Sequence, residues 1–216
     1  MIGKDDKGGR VNTQNDIKVV IINASPRPQS NTMVFANHAK NVIESLGGKV
    51  TVENLAKKDI KYCIGCWSTN NESCVYPCIV KDDLNPIFEN MINSDGIIFV
   101  SGVYWFGVTA QMKTLVDRMT CLWNNGTGRP LLDGKVAAFI SSGVEEGNVS
   151  AMAPLMATAT FLGMHILPYG LIYGDIKEKK DFQSGWGLEF AERCGRNMVN
   201  MIKLLKENPV DLWGKE

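Results

Sequence analysis

Four of the six cysteines of this chain lie within one short stretch, in which a C-x2-C pair is followed by two further cysteines. The clustered residues are Cys63, Cys66, Cys74 and Cys78. In a reducing compartment, cysteines clustered in this way are more often metal or cluster ligands than disulfide partners. Four thiolates from one loop suit a tetrahedral zinc ion or an iron–sulfur cluster. Unligated thiols that pack as small apolar groups are the third interpretation.

A second group of residues with hydrogen-bonding side chains joins an apolar run to an amphipathic segment. Its members are Ser25, Arg27, Ser30, Asn31 and Thr32. The free backbone N–H groups and the dipole of a helix N-terminus favour an anion, and the planar guanidinium of Arg27 matches phosphate. Neither G-x-G-x-x-G nor G-x-x-x-x-G-K-[ST] occurs in the chain, so a dinucleotide fingerprint and a triphosphate loop are excluded. The alternative is a helix N-terminus that these side chains merely cap.

A segment rich in glycine and aromatic residues follows a later apolar run. It contains Gly102, Val103, Tyr104, Trp105, Phe106 and Gly107. Glycine allows a backbone to approach a flat ring closely, and aromatic side chains supply apolar surface for it. The segment therefore predicts a slot for a planar cofactor. The alternative is that these aromatic residues belong to the core or to a subunit interface.

Apolar runs of strand length alternate with amphipathic segments from Ile17 onwards. The predicted strands are 17–23, 49–54, 95–101, 135–141 and 165–173, and the predicted helices are 32–46, 84–92, 109–122, 149–163 and 188–205. This alternation predicts an α/β fold, a doubly wound five-stranded parallel sheet of order 2-1-3-4-5 with a Cys-rich loop insertion. Ligands of such sheets bind at the carboxyl ends of the strands, near strands one and three. The loops after Asn23, Ser101 and Ser141 are therefore expected to form one site.

Four residues outside these loops are interpreted as structural. Cys121 and Cys194 lie in predicted helices and are expected to pack in the core, whereas His38 and His165 have no spaced catalytic partner. The pair Asp82-Asp83 precedes the helix predicted at 84–92 and is expected to cap it.

The charge balance limits the classes of partner. The 23 basic residues equal the 23 acidic residues, which argues against nucleic-acid binding and against a membrane-surface protein. The apolar runs are far shorter than a membrane span, and the polar N-terminus lacks the apolar core of a signal peptide. A cytoplasmic protein is therefore expected, with residues 1–16 as a flexible tail and residues 17–216 as one cofactor-binding domain.

The phosphate-binding pattern S-x-R-x-x-S-N-T, from Ser25 to Thr32, resembles the flavin-phosphate loop of the flavodoxin-like NAD(P)H-dependent FMN reductases. The segment from Ser101 to Arg118 is similar to the flavin loop and following helix of that family, with Gly102 where proline is usual. The resemblance implies FMN as cofactor, NAD(P)H as co-substrate, and a homodimer or homotetramer. It also implies that a third loop, with Ser142 and Gly143, lies at the flavin edge.

Within that family, the cysteine stretch resembles the iron–sulfur flavoproteins, whose compact pattern is C-x2-C-x2-C followed by a fourth cysteine. Cys63, Cys66 and Cys74 match the first, second and fourth positions, whereas Thr69 occupies the third. Cys78 would then supply the missing ligand of a [4Fe–4S] cluster. The longer spacing costs little loop-closure entropy, so it does not prevent ligation.

These observations favour an FMN-dependent NAD(P)H oxidoreductase that passes electrons to an unidentified acceptor, with a [4Fe–4S] relay as a further possibility. The flavin carries the chemistry in such an enzyme, so no side chain is assigned a catalytic role. One alternative is a flavodoxin-type electron carrier without NAD(P)H activity, although such carriers are usually strongly acidic. The other is a zinc-stabilised module that binds a different phosphate ligand.

Overall fold

The computed structural model describes residues 16–27, 29–124, 126, 128–143, 147–175, 186–212 and 214. Of the tail predicted at residues 1–16, all but Asp16 lies outside the described residues. The strands are β1 (Lys18–Asn23), β2 (Lys49–Asn54), β3 (Gly96–Tyr104), β4 (Gly107–Val108), β5 (Val136–Gly143) and β6 (His165–Asp175). The helices are α1 (Asn31–Ser45), α2 (Cys66–Thr69), α3 (Leu84–Ile92), α4 (Ala110–Arg118), α5 (Thr120–Trp123), α6 (Asn148–Phe161) and α7 (Trp186–Glu207).

Five of the strands form a parallel sheet in the order β2-β1-β3-β5-β6. Since β5 and β6 are the fourth and fifth parallel strands along the chain, the predicted order 2-1-3-4-5 and the fold class are confirmed. The sixth strand, β4, was not predicted. It pairs antiparallel with the end of β3, Val103 opposite Val108, and its two residues are too few to produce an alternating pattern.

Helices cover both faces of the sheet because successive residues of its strands point to opposite sides. In β1, Val19 and Ile21 pack with α1 and α7, whereas Val20 and Ile22 pack with α3, α4, α5 and α6. Every β1 residue after Lys18 is buried, as the continuous apolar run predicts for a central strand. The predicted core positions of Cys121 and Cys194 are confirmed, since both side chains are buried.

The helix predicted at 109–122 is divided into α4 and α5 at Met119. The Leu122 N–H donates to the Met119 carbonyl at 2.8 Å, a tighter bond than the helical i→i+4 pattern. Thr109 precedes α4 and its hydroxyl accepts from the Met112 N–H, so the N-terminus lies where the sequence predicted it. No helix within the described ranges is long and apolar enough to cross a membrane.

The contact between α1 and α7 depends on Gly195. A Cβ added at this glycine would lie 2.5 Å from the Ala39 carbonyl oxygen of α1. Gly195→Ala is therefore expected to lower the free energy of unfolding by roughly 1–3 kcal/mol, as overpacked cores do, in urea unfolding followed by circular dichroism. The control is Arg196→Ala, an exposed neighbour on the same helix, which should change stability by less than about 0.5 kcal/mol. Equal stability of the two variants would contradict this account of the helix contact.

Candidate functional site

A cavity of about 220 Å³ opens at the carboxyl edge of the parallel sheet. Its lining residues all belong to the set predicted from the sequence: Ser25, Arg27, Ser30, Asn31, Thr32, Gly102, Val103, Tyr104, Ser142 and Gly143. The loop after β1 thus meets the carboxyl-terminal residues of β3 and β5 at the edge where the strand order placed them. What this cavity binds stays a prediction.

The loop between β1 and α1 is held by hydrogen bonds from short polar side chains. The Ser25 N–H donates to Oδ1 of buried Asn23 at 3.1 Å, and the Asn23 amide donates to Asn54 Oδ1 at 2.8 Å. The hydroxyls of Ser30 and Thr32 lie 2.9 Å apart. These bonds fix the direction in which α1 starts, so that its N-terminus is directed at the cavity.

The side chains of this loop combine capping with donors suited to an anion. Ser30 is the N-cap of α1, because its Oγ accepts from the Met33 N–H at 3.3 Å; the capping interpretation therefore holds for this residue. Ser25 and Thr32 are also buried beneath the cavity, whereas Arg27 is exposed at its rim. Hydroxyl groups, a helix N-terminus and a guanidinium form a donor set that fits a phosphate group.

Two residues that the sequence analysis missed hold the ends of the strands around the cavity. The Thr109 hydroxyl donates to the Ala24 carbonyl at 2.8 Å, and the Thr109 N–H donates to Ser101 Oγ at 3.0 Å. On the other side of the cavity, Ser141 Oγ donates to Asn148 Oδ1 at 2.8 Å. Thr109 could have been found from its position just before a predicted helix, where threonine is a favoured cap. The neighbouring sequence of Asn148 did not indicate that its side chain bonds β5.

The aromatic segment forms a β-hairpin beside the cavity, joining β3 to β4. Its two central residues, Trp105 (φ 49°) and Phe106 (φ 62°), both adopt left-handed backbone conformations, as a two-residue turn of type I′ requires. Such conformations cost roughly 1–2 kcal/mol for each non-glycine residue and are retained mainly at functional sites. Trp105 is 95% exposed, so it neither packs in the core nor lines the cavity. Phe106 and Gly107 also lie outside the cavity lining, in the same hairpin.

Glycine keeps the cavity open at Gly102 and Gly143. A Cβ at Gly102 would lie 3.3 Å from the Tyr104 ring, and one at Gly143 would lie 3.3 Å from Val103 Cβ. These contacts are tighter than ordinary van der Waals packing, so a side chain at either position would displace the cavity wall. The backbone is therefore free for a flat ligand to approach.

The C-x2-C pair in the Cys-rich loop forms a tight turn that ends in α2. Gly65 adopts a left-handed conformation (φ 67°), and its N–H is directed at Cys63 Sγ at 3.4 Å. Both Cys63 and Cys66 are partly exposed. The turn thus directs one backbone donor towards the Cys63 thiol, while both residues remain partly exposed.

The other two cysteines of the loop are buried and held by side chains of neighbouring helices. The Cys78 N–H donates to Asn85 Oδ1 at 2.9 Å, and the Asn85 amide donates back to the Cys78 carbonyl at 3.0 Å. The Asn124 amide donates to the Cys74 carbonyl at 3.0 Å. The backbone of both cysteines is therefore positioned by the body of the fold.

The four thiols interact around Cys74. Burial raises the pKa of the Cys74 thiol to about 12, and the adjacent Cys66 thiol, which hydrogen-bonds it, acts in the same direction. The thiols of Cys78 and Cys63 raise this pKa further. An all-sulfur donor set suits zinc or an iron–sulfur cluster. Within the described part of the chain, however, no three histidine, cysteine, aspartate or glutamate side chains are placed to hold a metal ion.

A buried ion pair beneath the Cys-rich loop changes the interpretation of Asp82. Its carboxylate accepts from the Leu84 N–H at 3.1 Å, as a cap does, but also from the Lys61 N–H at 2.8 Å and from the Arg118 guanidinium. Burial alone would raise the pKa of Asp82, but the bonds from Arg118 and the two N–H groups hold it below its usual value. The prediction that Asp82-Asp83 caps α3 is confirmed for Asp82, whose carboxylate also forms a buried ion pair that the sequence did not predict. Asp83 accepts instead from the Asp59 N–H.

Comparison with known proteins agrees with this architecture. The family model described as NADPH-dependent FMN reductase matches residues 17–177. An iron–sulfur flavoprotein of Methanocaldococcus jannaschii is 31% identical over 204 residues, covering 88% of this chain and 100% of the relative. The solved structure of an NAD(P)H:quinone oxidoreductase from Methanothermobacter marburgensis is similar with a TM-score of 0.68 at 18% identity, covering 85% of this chain and 96% of that one. RosB, with bound 8-demethyl-8-formylriboflavin-5′-phosphate, has a TM-score of 0.75 at 18% identity, covering 90% and 82% respectively.

The strand order and the meeting of three loops at the carboxyl edge define a flavodoxin-like α/β protein. The chain belongs to the NADPH-dependent FMN reductase family and resembles the iron–sulfur flavoproteins within it. It is accordingly an oxidoreductase that works with a flavin and NAD(P)H.

Proposed function

We propose that the cavity at the carboxyl edge binds FMN, with the phosphate on the loop between β1 and α1 and the isoalloxazine ring against Gly102–Gly107. The observation that carries this proposal is that the hydroxyls of Ser25, Ser30 and Thr32 meet a helix N-terminus in one cavity with the β3 loop. FMN is proposed rather than FAD because the chain has no second fingerprint for an adenosine half.

The residues of this chain bind and orient the cofactor in the proposed mechanism. FMN, when bound, supplies a ring that accepts a hydride from NAD(P)H and gives up electrons to an acceptor. Ser25, Ser30 and Thr32 hold the phosphate, and Arg27 adds charge at the rim. Thr109 keeps the β1 and β3 loops at a fixed separation. None of these residues is assigned a proton-transfer step.

The visible spectrum of the purified protein tests the cofactor assignment. We expect a yellow protein whose flavin absorption disappears when NADH or NADPH is added without oxygen, and we expect FMN in the heat-released extract. FAD in the extract, or a colourless protein that binds no added FMN, would contradict the proposal. A flavin that NADH and NADPH both leave oxidised would support the electron-carrier alternative instead.

Arg27→Ala is expected to weaken FMN binding about tenfold or more, because hydrogen bonds to charged groups contribute about 1.5–3 kcal/mol. The affinity is measured by titrating flavin-free protein with FMN and following the quenching of flavin fluorescence. The matched control is Arg196→Ala, which removes an exposed arginine from α7, away from the cavity. Unchanged FMN affinity in Arg27→Ala would contradict the placement of the phosphate.

We also propose that Cys63, Cys66, Cys74 and Cys78 together bind one [4Fe–4S] cluster, which would supply one-electron transfer at the loop. The clustering of four cysteines within residues 63–78 and the iron–sulfur flavoprotein relative support this assignment. Iron and acid-labile sulfide per protomer, measured after anaerobic purification, test it. Stoichiometric zinc without sulfide would support the zinc alternative, and neither metal would mean unligated thiols.

For the acceptor we propose a quinone, because a structural relative is an NAD(P)H:quinone oxidoreductase. Steady-state oxidation of NAD(P)H by a water-soluble quinone, compared with oxygen alone, tests this class. Equal rates with and without the quinone would exclude it as the preferred acceptor.

We further propose a cytoplasmic homodimer or homotetramer. The cavity is smaller than the roughly 300–1,000 Å³ of typical ligand sites, and the hairpin beside it exposes Trp105 and Phe106. A neighbouring subunit would cover these rings and complete the slot, and free cysteines suit a reducing compartment. A monomer with full flavin content in light scattering would contradict the oligomer.

A further inference from the structure

A second cavity, of about 470 Å³, lies between α6 and the pair α4 and α5, and none of its described lining residues lines the carboxyl-edge cavity. We propose that it binds a small aromatic organic cation, that is, a flat ring that bears a protonated amino group. The volume falls within the roughly 300–1,000 Å³ of typical small-molecule sites. This inference depends neither on the proposed FMN nor on a metal at the Cys-rich loop.

The cavity combines buried apolar residues with exposed aromatic rings. Met119 and Leu162 are among its lining residues and are almost completely buried. The Trp123 ring is stacked with Phe161 at a centroid distance of 5.7 Å and stands nearly perpendicular to Trp67, at 6.1 Å and 74°. All three rings are partly exposed, Phe161 to 69%. Rings from α2, α5 and α6 thus offer a planar ligand apolar contact, and their negative faces attract a cation.

The oxygen-bearing side chains of this cavity are placed to accept hydrogen bonds. Thr120 Oγ1 already donates to the Asp117 carbonyl at 3.1 Å, and Thr158 Oγ1 donates to the Pro154 carbonyl at 2.9 Å. The lone pairs of both hydroxyls can therefore still accept, and the ionised carboxylate of Asp117 can only accept. This set fits a ligand with N–H donors and disfavours a quinone, whose carbonyl oxygens are acceptors.

The charge of the cavity favours a cation. Among the described residues that line it, Asp117 is the only ionisable one, and its side chain is 43% exposed. Lys113 bonds Asp117 Oδ1 from the preceding turn of α4 but does not line the cavity. Exposed pairs of this kind contribute little to stability, so a ligand ammonium can share the carboxylate at small cost. Its ring would then lie against the indoles.

The experiment is isothermal titration calorimetry of the protein as purified, with tryptamine and indole-3-acetate as the probes. The two molecules share the indole ring, but one carries an ammonium group and the other a carboxylate. We expect tryptamine to bind at one site per protomer and at least about tenfold more tightly, because Asp117 repels a carboxylate. Equal affinities, or tighter binding of indole-3-acetate, would overturn the cationic class of ligand.

Two substitutions of exposed residues locate the bound tryptamine. Asp117→Asn should weaken its binding about fivefold or more by removing the charge at nearly constant shape, and Phe161→Ala about threefold or more by removing one ring. The matched control is Glu44→Gln, which neutralises a similarly exposed i,i+4 ion pair on α1, on the other face of the sheet, and should leave the affinity unchanged. Unchanged affinity in both Asp117→Asn and Phe161→Ala would overturn the location of the site.

A second copy of this chain is the competing occupant of the cavity. Light scattering of the wild type and of Phe161→Ala tests it, and we expect the same mass in solution for both. Wild-type protein that does not bind tryptamine would overturn the ligand site, and a lower mass of Phe161→Ala would then assign this face to a subunit interface. The FMN content should be the same in all these variants, which separates this test from that of the cofactor.

Discussion

Replacing Cys78 by serine should remove nearly all iron and sulfide of the proposed [4Fe–4S] cluster from anaerobically purified protein. The expected loss follows from the ligand count: with Thr69 at the third position of the compact pattern, Cys78 is the residue left to complete four thiolates. Its backbone is held in both directions by Asn85, so the loop cannot shift easily to present another group. Iron, sulfide and visible absorption per protomer are the measurements.

Cys121 is the matched control for this substitution. It is also buried and lies close enough to Cys74 and Cys78 for their thiols to raise its pKa, after the larger effect of burial. It differs in lying on α5, outside the loop, where its Sγ contacts the Arg118 carbonyl at 3.2 Å. Cys121→Ser should retain full iron. The opposite pattern, with iron kept in Cys78→Ser and lost in Cys121→Ser, would assign the fourth ligand to α5.

The residues that line the cavity could be identified from the sequence because two regular features determine their position. Apolar runs mark the strands, and the order of a doubly wound sheet brings particular loop pairs to one edge. Ser25 and Gly102 are far apart in sequence, yet Ser25 lies just after β1 and Gly102 near the carboxyl end of β3, both central strands. Their convergence therefore needed no knowledge of side-chain packing.

The hairpin at Trp105 and Phe106 could not be predicted in this way. Two-residue hairpin turns are usually recognised by Asn-Gly or Asp-Gly, which adopt positive φ at low cost. Here two aromatic residues adopt it, so local propensity indicated no turn. The sequence accordingly predicted a continuous ring-binding segment, whereas the structure has a strand pair that directs Trp105 into solvent.

The role of Asp82 was missed for a different reason. An aspartate before a helix is a sound local prediction of a cap, and Asp82 does accept from the Leu84 N–H. Its main partner, Arg118, lies 36 residues away in sequence. The one available signal was that Arg118 follows Met112 and Leu115 at a spacing of three, on the buried face of α4.

Arg118→Met should consequently destabilise the protein by about 3–5 kcal/mol, because it leaves the buried carboxylate of Asp82 without its cation. Urea unfolding at neutral pH followed by circular dichroism measures the loss. Adding Asp82→Asn removes the uncompensated charge and keeps one oxygen, which can accept from either the Lys61 or the Leu84 N–H, since these two groups bond different carboxylate oxygens. The double variant should therefore recover about 2 kcal/mol or more of that loss.

The matched control is Lys113→Met, which breaks the exposed ion pair with Asp117 on the same helix and should cost less than about 1 kcal/mol. The pH dependence of the free energy of unfolding gives an independent check that the ion pair stabilises the fold. In the wild type, the lowered pKa of Asp82 contributes stability above its unfolded pKa of about 3.9, and this contribution is lost as the pH falls through the lower folded pKa. In Arg118→Met the buried carboxyl loses the cation that lowers its pKa and becomes protonated at a higher pH. The difference in free energy of unfolding between the wild type and Arg118→Met should therefore narrow as the pH falls. A loss of stability in Arg118→Met that is no larger than the loss in Lys113→Met, or that does not change with pH, would contradict the role of this ion pair.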